Sequence, residues 1–537
     1  MRRICRRAWP LLLAVFASAL HAQTLRGVVV DSASRQPIPG AVVTLFTADR
    51  RELGRVITSA SGRFSLASPG VVAARVVRLG FRPREVDVST SANQPIEVAL
   101  SPVSQLLAPV RVDDDSPCPR HPDNLAAIGL WAQAQSGLLA AVVARQTLPA
   151  MMMNLSFKRL IEGNSDRFQN QEVRIHQGTA ASSFRATPSV SELERTGFVK
   201  NTADGDLFFG PDAELLLDDA FMRNYCLSLA PGDKARASTV GVNFARARRI
   251  RDRVDISGTI WIDTARRTLD RITFRYDGLD PEIDRFRTGG ELVFHDIRPG
   301  TPQIQRWSIR TVAERTPSMG GPAARLRHFE VHEDGGELAR AEWTDGTLWR
   351  APLGRARIRA TTSRGEKAIG VVLSLVGTDY VATTDSTGTA EFADLLPGPY
   401  HVVVIDTALA IVGATGETHT RFVAARDSIR EVSSIVPSAA EQVEAACRRD
   451  ALWTPGSYAL VVQVVTPDAT PVAGARWSLS VGRTTGVTGS NGVFQYCFGL
   501  DLGATVQIHV SRNGEAPTTV TRTLSRKLTA VRLELPR

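Results

Sequence analysis

The sequence lacks the short motifs by which most catalytic sites are recognised. It contains no Gly-x-Ser-x-Gly elbow, no Gly-x-x-x-x-Gly-Lys phosphate loop, no dinucleotide fingerprint, and neither His-Glu-x-x-His nor Cys-x-x-Cys. These absences remove the usual evidence for acyl transfer, nucleotide chemistry and a bound zinc ion. We therefore predict that the protein is not an enzyme, with no catalytic residue, no cofactor and no metal ligand.

Long apolar runs are missing after the first 22 residues. Residues 1–22 are typical of an export signal, because four arginines precede an apolar run from Leu11 to Leu20 and Ala22 is a small residue before Gln23. That run is too short to span a bilayer, and no later stretch reaches about 18 apolar residues without a charge. We predict no transmembrane segment once the signal is removed. Cys5 precedes the apolar run, which does not fit a lipid-anchored cysteine.

Cysteine is scarce, and four of the five cysteines lie beyond the signal. An even number in an exported chain predicts two disulfides. Of the three pairings that four cysteines allow, we favour Cys118 with Cys226 and Cys447 with Cys497, because each pair stays within one region. Four unpaired buried thiols are the alternative.

The charge balance is mild for a chain of 537 residues. The formal net charge of +9 includes the four signal arginines, which leaves about +5 on the mature chain. This predicts some attraction to anionic envelope polymers and no dedicated nucleic-acid partner. With 43% hydrophobic residues the chain can bury several cores, and its length predicts about three to five domains.

One sequence pattern recurs three times in the chain. An apolar strand is followed by a short glycine-containing connection, which we call the step, then by a second strand, and then by a polar turn with glycine before a third strand. The step glycines are Gly40, Gly370 and Gly474, and the turn glycines are Gly62, Gly388 and Gly492. The turn glycines follow the step glycines by 22, 18 and 18 residues. This recurrence predicts three copies of one β-module, at residues 24–101, 355–436 and 457–536.

The first copy carries a recognisable pattern. It reads Gly27-x-Val29-x-Asp31, then Pro37-x-Pro39-Gly40-Ala41-x-Val43, and then Gly62-x-Phe64. The pattern resembles the carboxypeptidase regulatory-like domain, a transthyretin-like β-sandwich of secreted and envelope proteins. The resemblance implies a fold and no activity, because its motifs are strand and turn features.

The region between the first two copies differs in character. Residues 102–122 are rich in proline and acidic residues and predict a linker, and residues 123–350 predict a helix followed by an antiparallel sheet. This region loosely resembles periplasmic lipoprotein-carrier proteins. A carrier would hold a lipid in a cavity lined by Trp261, Phe274, Phe294 or Trp307.

Three clusters of chemically capable side chains were weighed against simpler interpretations. His328, Glu330 and His332 share one face of a predicted strand, but side chains two apart lie about 7 Å from each other, so a metal would need further ligands. A solvated strand face is favoured. The second cluster predicts a polar loop, with a bound calcium ion as the alternative, and consists of Asp277, Asp280, Glu282 and Asp284. The third cluster predicts a solvated edge strand, with anion binding as the alternative, and consists of Arg246, Arg248, Arg249, Arg251 and Arg253.

The predicted fold class is mainly β, with three small antiparallel β-sandwiches and a central α+β domain with a curved antiparallel sheet. The predicted function is that of a non-catalytic exported cell-envelope protein, whose sandwiches are structural or binding units for a protein, peptide or glycan. Its location would be the periplasm, the outer-membrane surface or the extracellular space. The alternatives are a lipid or lipoprotein carrier and a hydrolase with an unrecognised site.

Overall fold

The computed structural model describes residues 24–67, 69–89, 94–103, 118, 124–162, 165–179, 188–203, 205–248, 250–315, 328–411, 415–447, 458–481, 484–498, 503–512, 515–524 and 528–536. The predicted signal at 1–22 and most of the predicted linker at 102–122 lie outside these residues. The chain is mainly β, as the sequence predicts. It divides into two compact units, one of residues 1–150, 185–279 and 289–305, and one of residues 151–184, 280–288 and 306–537.

Module 1 is the first sandwich and belongs to the first unit. Its strands are β1 (Thr24–Asp31), β2 (Val42–Phe46), β3 (Glu52–Ile57), β4 (Arg63–Ala67), β5 (Ala73–Val77), β6 (Arg84–Asp87) and β7 (Ile96–Leu100). They form a three-stranded sheet in the order β4-β1-β7 and a four-stranded sheet in the order β3-β2-β5-β6. Val29, Val43, Phe64, Val76 and Leu100 meet in the core between the sheets.

The central region alternates helices with long strands. Its elements are α1 (Asn124–Thr147), β8 (Ala150–Ile161), β9 (Phe168–Gly178), α2 (Val190–Thr196), β10 (Val199–Thr202), β11 (Gly205–Phe208), α3 (Ala213–Leu217), α4 (Asp219–Asn224), β12 (Tyr225–Leu229), β13 (Thr239–Arg246), β14 (Asp255–Asp263), β15 (Thr268–Asp277), α5 (Pro281–Asp284), β16 (Gly289–Arg298), β17 (Thr301–Arg315), β18 (His328–Trp343) and β19 (Leu348–Arg350). Ten of these strands form the largest sheet. Its order is β12-β13-β14-β15-β16 in the first unit, and β18 pairs with β17, β8 and β19 in the second.

Modules 2 and 3 belong to the second unit. Their elements are β20 (Gly354–Thr361), β21 (Val372–Leu375), β22 (Val381–Thr383), β23 (Thr389–Leu395), β24 (Gly398–Ile405), α6 (Thr407–Ile411), β25 (Glu417–Ala424), β26 (Ile429–Ile435), α7 (Ala439–Cys447), β27 (Tyr458–Val465), β28 (Arg476–Leu479), β29 (Thr485–Val487), β30 (Val493–Phe498), β31 (Thr505–Ser511), β32 (Thr518–Thr523) and β33 (Leu528–Glu534). Both modules repeat the topology of module 1, with sheets β23-β20-β26 and β22-β21-β24-β25, and then β30-β27-β33 and β29-β28-β31-β32.

One pairing in each module is parallel. The first strand of every module lies in the middle of the three-stranded sheet, antiparallel to the fourth strand and parallel to the last strand. The sequence predicts antiparallel sandwiches, and the parallel return of the last strand is an addition that strand alternation alone does not show. The common topology indicates that the three modules are variants of one unit.

In every module the hydroxyl group of one threonine forms hydrogen bonds with the backbone of the step. The Thr58 hydroxyl accepts a hydrogen bond from the Ala41 amide at 2.9 Å and donates to the Ile38 carbonyl at 2.8 Å. Thr384 and Thr488 make the same pair of bonds in modules 2 and 3. All three threonines are buried, so the hydroxyl satisfies two backbone groups that water cannot reach.

Helix α1 packs inside the first unit. Trp131 meets Phe244 of the sheet edge-on at a centroid distance of 6.2 Å, and the Gln133 amide oxygen accepts from the Gly80 amide at 2.7 Å. Within α1 the segment Leu125–Thr147 is long and apolar enough to cross a membrane by length and composition, and 61% of its apolar window is buried against protein. That burial is typical of a core helix of a folded domain.

Module 1 is fastened to two turns of the same unit, the turn between β14 and β15 that contains Arg267 and the turn after β16 that contains Gly300. The buried Arg78 donates to the Pro39 carbonyl at 3.0 Å and to the Arg267 carbonyl at 3.2 Å. Asp296 accepts from the Gly300 amide at 3.2 Å. Burial raises the pKa of Asp296, although the charge of Arg78 opposes that rise.

In the second unit, one ion pair joins two of the long strands and a second one connects β18 with module 2. Arg159 lies between the rings of Phe157 and Phe168 and pairs with Glu333 at 3.1 Å. Glu337, only 1% exposed, accepts two hydrogen bonds from Arg426 at 2.6 and 2.7 Å. Such bidentate pairs fix orientation, because removal of one partner leaves a buried charge.

Both disulfides favoured by the sequence are present in the structure. Cys118 is bonded to Cys226 on β12, with 5.4 Å between their Cα atoms, and Cys447 is bonded to Cys497, with 5.8 Å between theirs. Cys447 ends α7 and Cys497 lies on β30. The second disulfide therefore fastens α7 to the three-stranded sheet of module 3.

Candidate binding faces of the three sandwiches

The four-stranded sheet of each module turns one face to the core and the other outward. Strand register makes the outward positions equivalent. In module 1 they are Val42, Ile57, Val77, Thr44, Arg55 and Arg75; in module 2 they are Val372, Thr383, Ile405, Ser374, Val381 and Val403; in module 3 they are Arg476, Val487, Ser511, Ser478, Thr485 and His509. One frame thus presents three different surfaces.

In module 1 the outward face is covered by α1. Ala140, Val143 and Ala144 of the helix pack with Val42 and Val77 of the sheet in one buried cluster, to which Ile57 also belongs. The three helix residues are spaced i, i+3, i+4, which places them on one side of a helix. Their small side chains let the helix lie close to the sheet.

In module 2 the equivalent face is aliphatic and open. Val381 is 55% exposed and Ile405 is 52% exposed, and Val372 and Val403 are half-buried between them. The register joins these residues into two adjacent rows across β22, β21 and β24, which also contain Thr383 and the buried Ser374. We call Val372, Val381, Val403 and Ile405 the aliphatic face.

In module 3 the equivalent face is polar. Arg476, Ser478, Thr485, His509 and Ser511 line a shallow depression of about 640 Å³, and its lining contains no carboxylate among the described residues. Within the described part of the chain, Arg476 has no side-chain hydrogen bond or ion pair. This surface, the hydroxyl face, therefore offers a guanidinium, an imidazole and hydroxyl groups to an oxygen-rich ligand.

The outer face of the sheet in the first unit is also polar. Ser228, Asn243, Thr259 and Thr273 form a row across β12 to β15, with Thr259 donating to the Asn243 side-chain oxygen at 2.7 Å. They line a depression of about 530 Å³. Their mutual hydrogen bonds use part of their capacity, so this face ranks behind the hydroxyl face as a candidate site.

The residues predicted for a lipid cavity are not gathered together. Trp261 lies on the outer face of the first-unit sheet, where the Arg271 guanidinium covers its ring at 4.8 Å. Phe274 and Phe294 are buried, and strand alternation puts Phe274 on the face opposite to Trp261. Trp307 is buried in the second unit. Trp261 and Phe274 therefore cannot line one cavity together, as the carrier alternative requires.

The predicted histidine cluster is only partly described. The Nε2 atom of His332 lies 3.7 Å from a Glu330 carboxylate oxygen, both side chains are partly exposed, and the His328 side chain lies outside the described residues. Of the four acidic residues, Asp280 caps α5 by accepting from the Glu282 amide at 2.9 Å. Asp277 pairs with Arg275 at 3.3 Å. Among the residues that the structure describes, no three His, Cys, Asp or Glu side chains are grouped to hold a metal ion.

The prediction of a solvated basic edge strand is wrong for two of the five arginines. Arg253 and Arg246 pair with the buried Asp255 at 3.1 and 3.4 Å, and Arg253 also donates to the Glu194 carbonyl. Burial beside this network raises the pKa of Tyr225. β13 lies between β12 and β14 and is no edge strand.

The other three arginines are not part of this ion-pair network as far as the structure describes them. Arg248 and Arg251 are exposed, and Arg249 lies outside the described residues. The sequence shows the run of arginines, whereas their carboxylate partner becomes apparent only from the register of β13 and β14.

Sequence reasoning did not identify the outward positions of the three faces. A signal was available, because the second and fourth residues after each step glycine fall on this face: Val42 and Thr44, Val372 and Ser374, Arg476 and Ser478. Alignment of the three copies on their step glycines would have shown an arginine in module 3 where the other modules have valine.

Comparison with known proteins adds one family. Residues 24–101 match the carboxypeptidase regulatory-like domain, as the pattern of the first copy predicts. No curated protein matches the chain.

Solved structures that align include the Bacillus anthracis TIE protein (10% identity, 62% of this chain and 63% of that chain, TM-score 0.14). They also include the minor pilin GBS52 of Streptococcus agalactiae (15%, 34% and 96%, TM-score 0.14) and a streptococcal ancillary pilin (12%, 46% and 80%, TM-score 0.16). At these TM-scores the alignments carry no inference about this chain.

Proposed function

We propose that this chain is an exported, non-catalytic protein of the cell envelope, whose β-sandwich modules are structural and binding units for a protein, peptide or glycan. The observation that carries this proposal is the use of one sheet face in three ways. The face is covered by the chain's own helix in module 1, aliphatic in module 2 and hydroxyl-rich in module 3. Diversified outward side chains on a common frame are expected of binding modules.

The two disulfides support export. Disulfides persist in oxidising compartments, and they hold Cys226 and Cys497 in their respective strands. The resemblance of residues 24–101 to a domain of secreted and envelope proteins agrees with that compartment.

The hydroxyl face is the part of this proposal that addresses glycans. Hydroxyl groups, an imidazole and an unpaired guanidinium match the hydroxyl and carboxylate groups of an acidic polysaccharide, and no lining carboxylate opposes its charge. Because Arg476 has no ion pair within the described residues, a ligand would supply its counter-charge.

Retention of the mature protein on envelope polysaccharides from the producing cells tests the proposal. We expect Arg476→Ala to weaken retention about tenfold, the size of one charged hydrogen bond, and added salt to weaken it further. The matched control is Arg357→Ala, because Arg357 already pairs with Glu431 at 2.7 Å. An equal loss of retention in both variants, or no retention of the unaltered protein, contradicts the proposal that the hydroxyl face binds a glycan.

A further inference from the structure

We propose that the aliphatic face of module 2 binds an α-helix of a partner protein, which presents small apolar residues at i, i+3 and i+4. The proposal goes beyond the proposed function by naming the partner's secondary structure and contact residues, and it rests on the binding role assigned there to the modules. It does not depend on the hydroxyl face of module 3.

Four β-branched residues give this face its apolar character. Val381 and Ile405 are each more than half exposed, and Val372 and Val403 lie between them. β-Branched residues side by side on an outward sheet face leave apolar area in water, and contiguous apolar patches of this kind mark interaction sites.

Module 1 provides a precedent within the same chain. The equivalent face of module 1 carries Val42 and Val77 at the positions of Val372 and Ile405, and there α1 seats Ala140, Val143 and Ala144 against the sheet. Two of the four residues of the aliphatic face thus lie at positions that α1 covers in module 1, whereas Val381 and Val403 lie at the positions of the exposed Arg55 and Arg75. An apolar sheet face suits a helix laid across it, because an added strand would instead pair with the backbone of a sheet edge.

A second helical cover exists in module 3. There the outward side of the three-stranded sheet carries Ala459 and Val461, and Cys447 of α7 and Ile411 of α6 pack on them. Helical segments thus cover an apolar outer face of the four-stranded sheet in module 1 and of the three-stranded sheet in module 3, whereas the aliphatic face of module 2 is open among the described residues.

The positions around the aliphatic face restrict the partner helix. Glu417 pairs with Val403 across β24 and β25, and the exposed Arg421 lies two pairs further along β25. A helix seated here would therefore have an apolar stripe flanked by side chains of both charge signs. The small residues in α1 show the spacing that allows the closest approach to a flat sheet.

Photo-crosslinking in the producing cells tests this proposal on the full chain. A photoreactive phenylalanine replaces Thr383, which is exposed beside Val372, and in a second strain it replaces Val487, the equivalent residue on the hydroxyl face. We expect an adduct from position 383 that is at least about tenfold stronger than that from position 487. Mass spectrometry of the adduct should locate a partner peptide with small apolar residues at i, i+3 and i+4.

Paired substitutions test whether the apolar side chains are required. Val381→Lys with Ile405→Lys should reduce the adduct about tenfold or more, because a buried interface would then contain two charges. The matched control, Ile429→Lys with Ile435→Lys, makes the same aliphatic-to-lysine change at exposed positions of β26, in the other sheet of module 2, and should leave the adduct unchanged. Val381→Thr with Ile405→Thr keeps the β-branched shape and gives a second, milder reduction should the lysine pair fail to fold.

Four outcomes would overturn the proposal. They are no adduct from position 383, equal adducts from both positions, an adduct with lipid, and an adduct with a second copy of this chain. Loss of polysaccharide retention on Arg476→Ala is measured separately, so the two proposals fail independently.

Discussion

Gly40 of module 1 and Gly370 of module 2 hold the same place in the same turn, and their surroundings differ. Both have positive φ angles, 72° and 69°, and both donate to the carbonyl of the module's buried threonine, at 3.1 and 3.0 Å. A Cβ atom on Gly40 would lie 1.9 Å from the Gly300 carbonyl oxygen, whereas one on Gly370 would meet nothing within 4 Å. The turn requires glycine in both modules, and packing requires it only in module 1.

This comparison separates the frame of the module from its use. The frame consists of the step glycine, the turn glycine and the buried threonine, and it is the same in all three copies. The modules differ in what packs against them. Module 1 packs against α1 and the turn at Gly300, whereas a Cβ atom at the step glycine of module 2 would meet no atom within 4 Å.

The largest expected effect comes from Gly40→Ala. The positive φ angle costs an alanine about 1–2 kcal/mol, and displacement of the Gly300 backbone adds a cost of about 1–3 kcal/mol. Gly370→Ala and Gly474→Ala should lose only the first amount, because no atom lies within 4 Å of either Cβ position. Calorimetry of the full chain, with hydrogen exchange to assign each transition to a module, measures the three losses. Equal losses would remove the distinction between frame and docking.

The next effect tests the frame itself. Thr58→Val, Thr384→Val and Thr488→Val each leave one buried amide and one buried carbonyl without a partner, at a cost of about 1–3 kcal/mol. Since the hydroxyl bonds are alike in the three modules, the three losses should agree within about 0.5 kcal/mol. Urea unfolding monitored by hydrogen exchange provides the measurement. A clear difference among the three would show that the threonines are not equivalent.

The glycine positions of the frame could be predicted from the sequence. Gly40 and Gly62 precede or follow strands at places where only glycine adopts a positive φ angle without cost, so their recurrence indicates the module. The role of Thr58 could not be predicted, because its two partners, Ile38 and Ala41, are brought to it by the fold and lie about 20 residues earlier.

The covered and open faces could not be distinguished from local sequence either. Val42 and Val372 are the same residue type at the same position of the repeat, yet α1 buries only Val42. Burial of that kind depends on an element far away in the chain. The ion pair of Arg246 with Asp255 could not be predicted from local sequence for the same reason, because strand register brings the two residues together.

A smaller effect concerns the helix that covers module 1. Gly137 lies in the middle of α1, where alanine would ordinarily stabilise a helix by about 1 kcal/mol. A Cβ atom there would lie 2.7 Å from Leu269 and 3.0 Å from Leu79, so overpacking of about 1–3 kcal/mol opposes that gain. We expect Gly137→Ala to destabilise the first unit by about 1 kcal/mol. A rise in its thermal midpoint would show that α1 is packed more loosely than the structure indicates.

The smallest effect distinguishes the turn of module 2 from the other two turns. Asp385 occupies the position that Ser59 and Gly489 hold in modules 1 and 3. The Thr387 hydroxyl at 2.6 Å and the amides of Thr389 and Thr387 at 3.0 and 2.8 Å hold the pKa of the Asp385 carboxyl below its ordinary value of 3.8.

The sign of the pH effect follows from that lowered pKa. The folded turn binds the proton more weakly than the unfolded chain does, so the stabilisation is present above the unfolded pKa and is lost as the pH falls through the folded pKa. Protection of the Thr387 and Thr389 amides, corrected for intrinsic exchange, should therefore fall as the pH drops below the ordinary carboxyl pKa of 3.8 and through the lower folded pKa, and Asp385→Asn should abolish that dependence. The turns at Ser59 and Gly489 have no carboxylate at this position and should show no such fall. The same decline in all three turns would mean that acid loosens the common frame, and the difference between module 2 and its two counterparts would then not arise from Asp385.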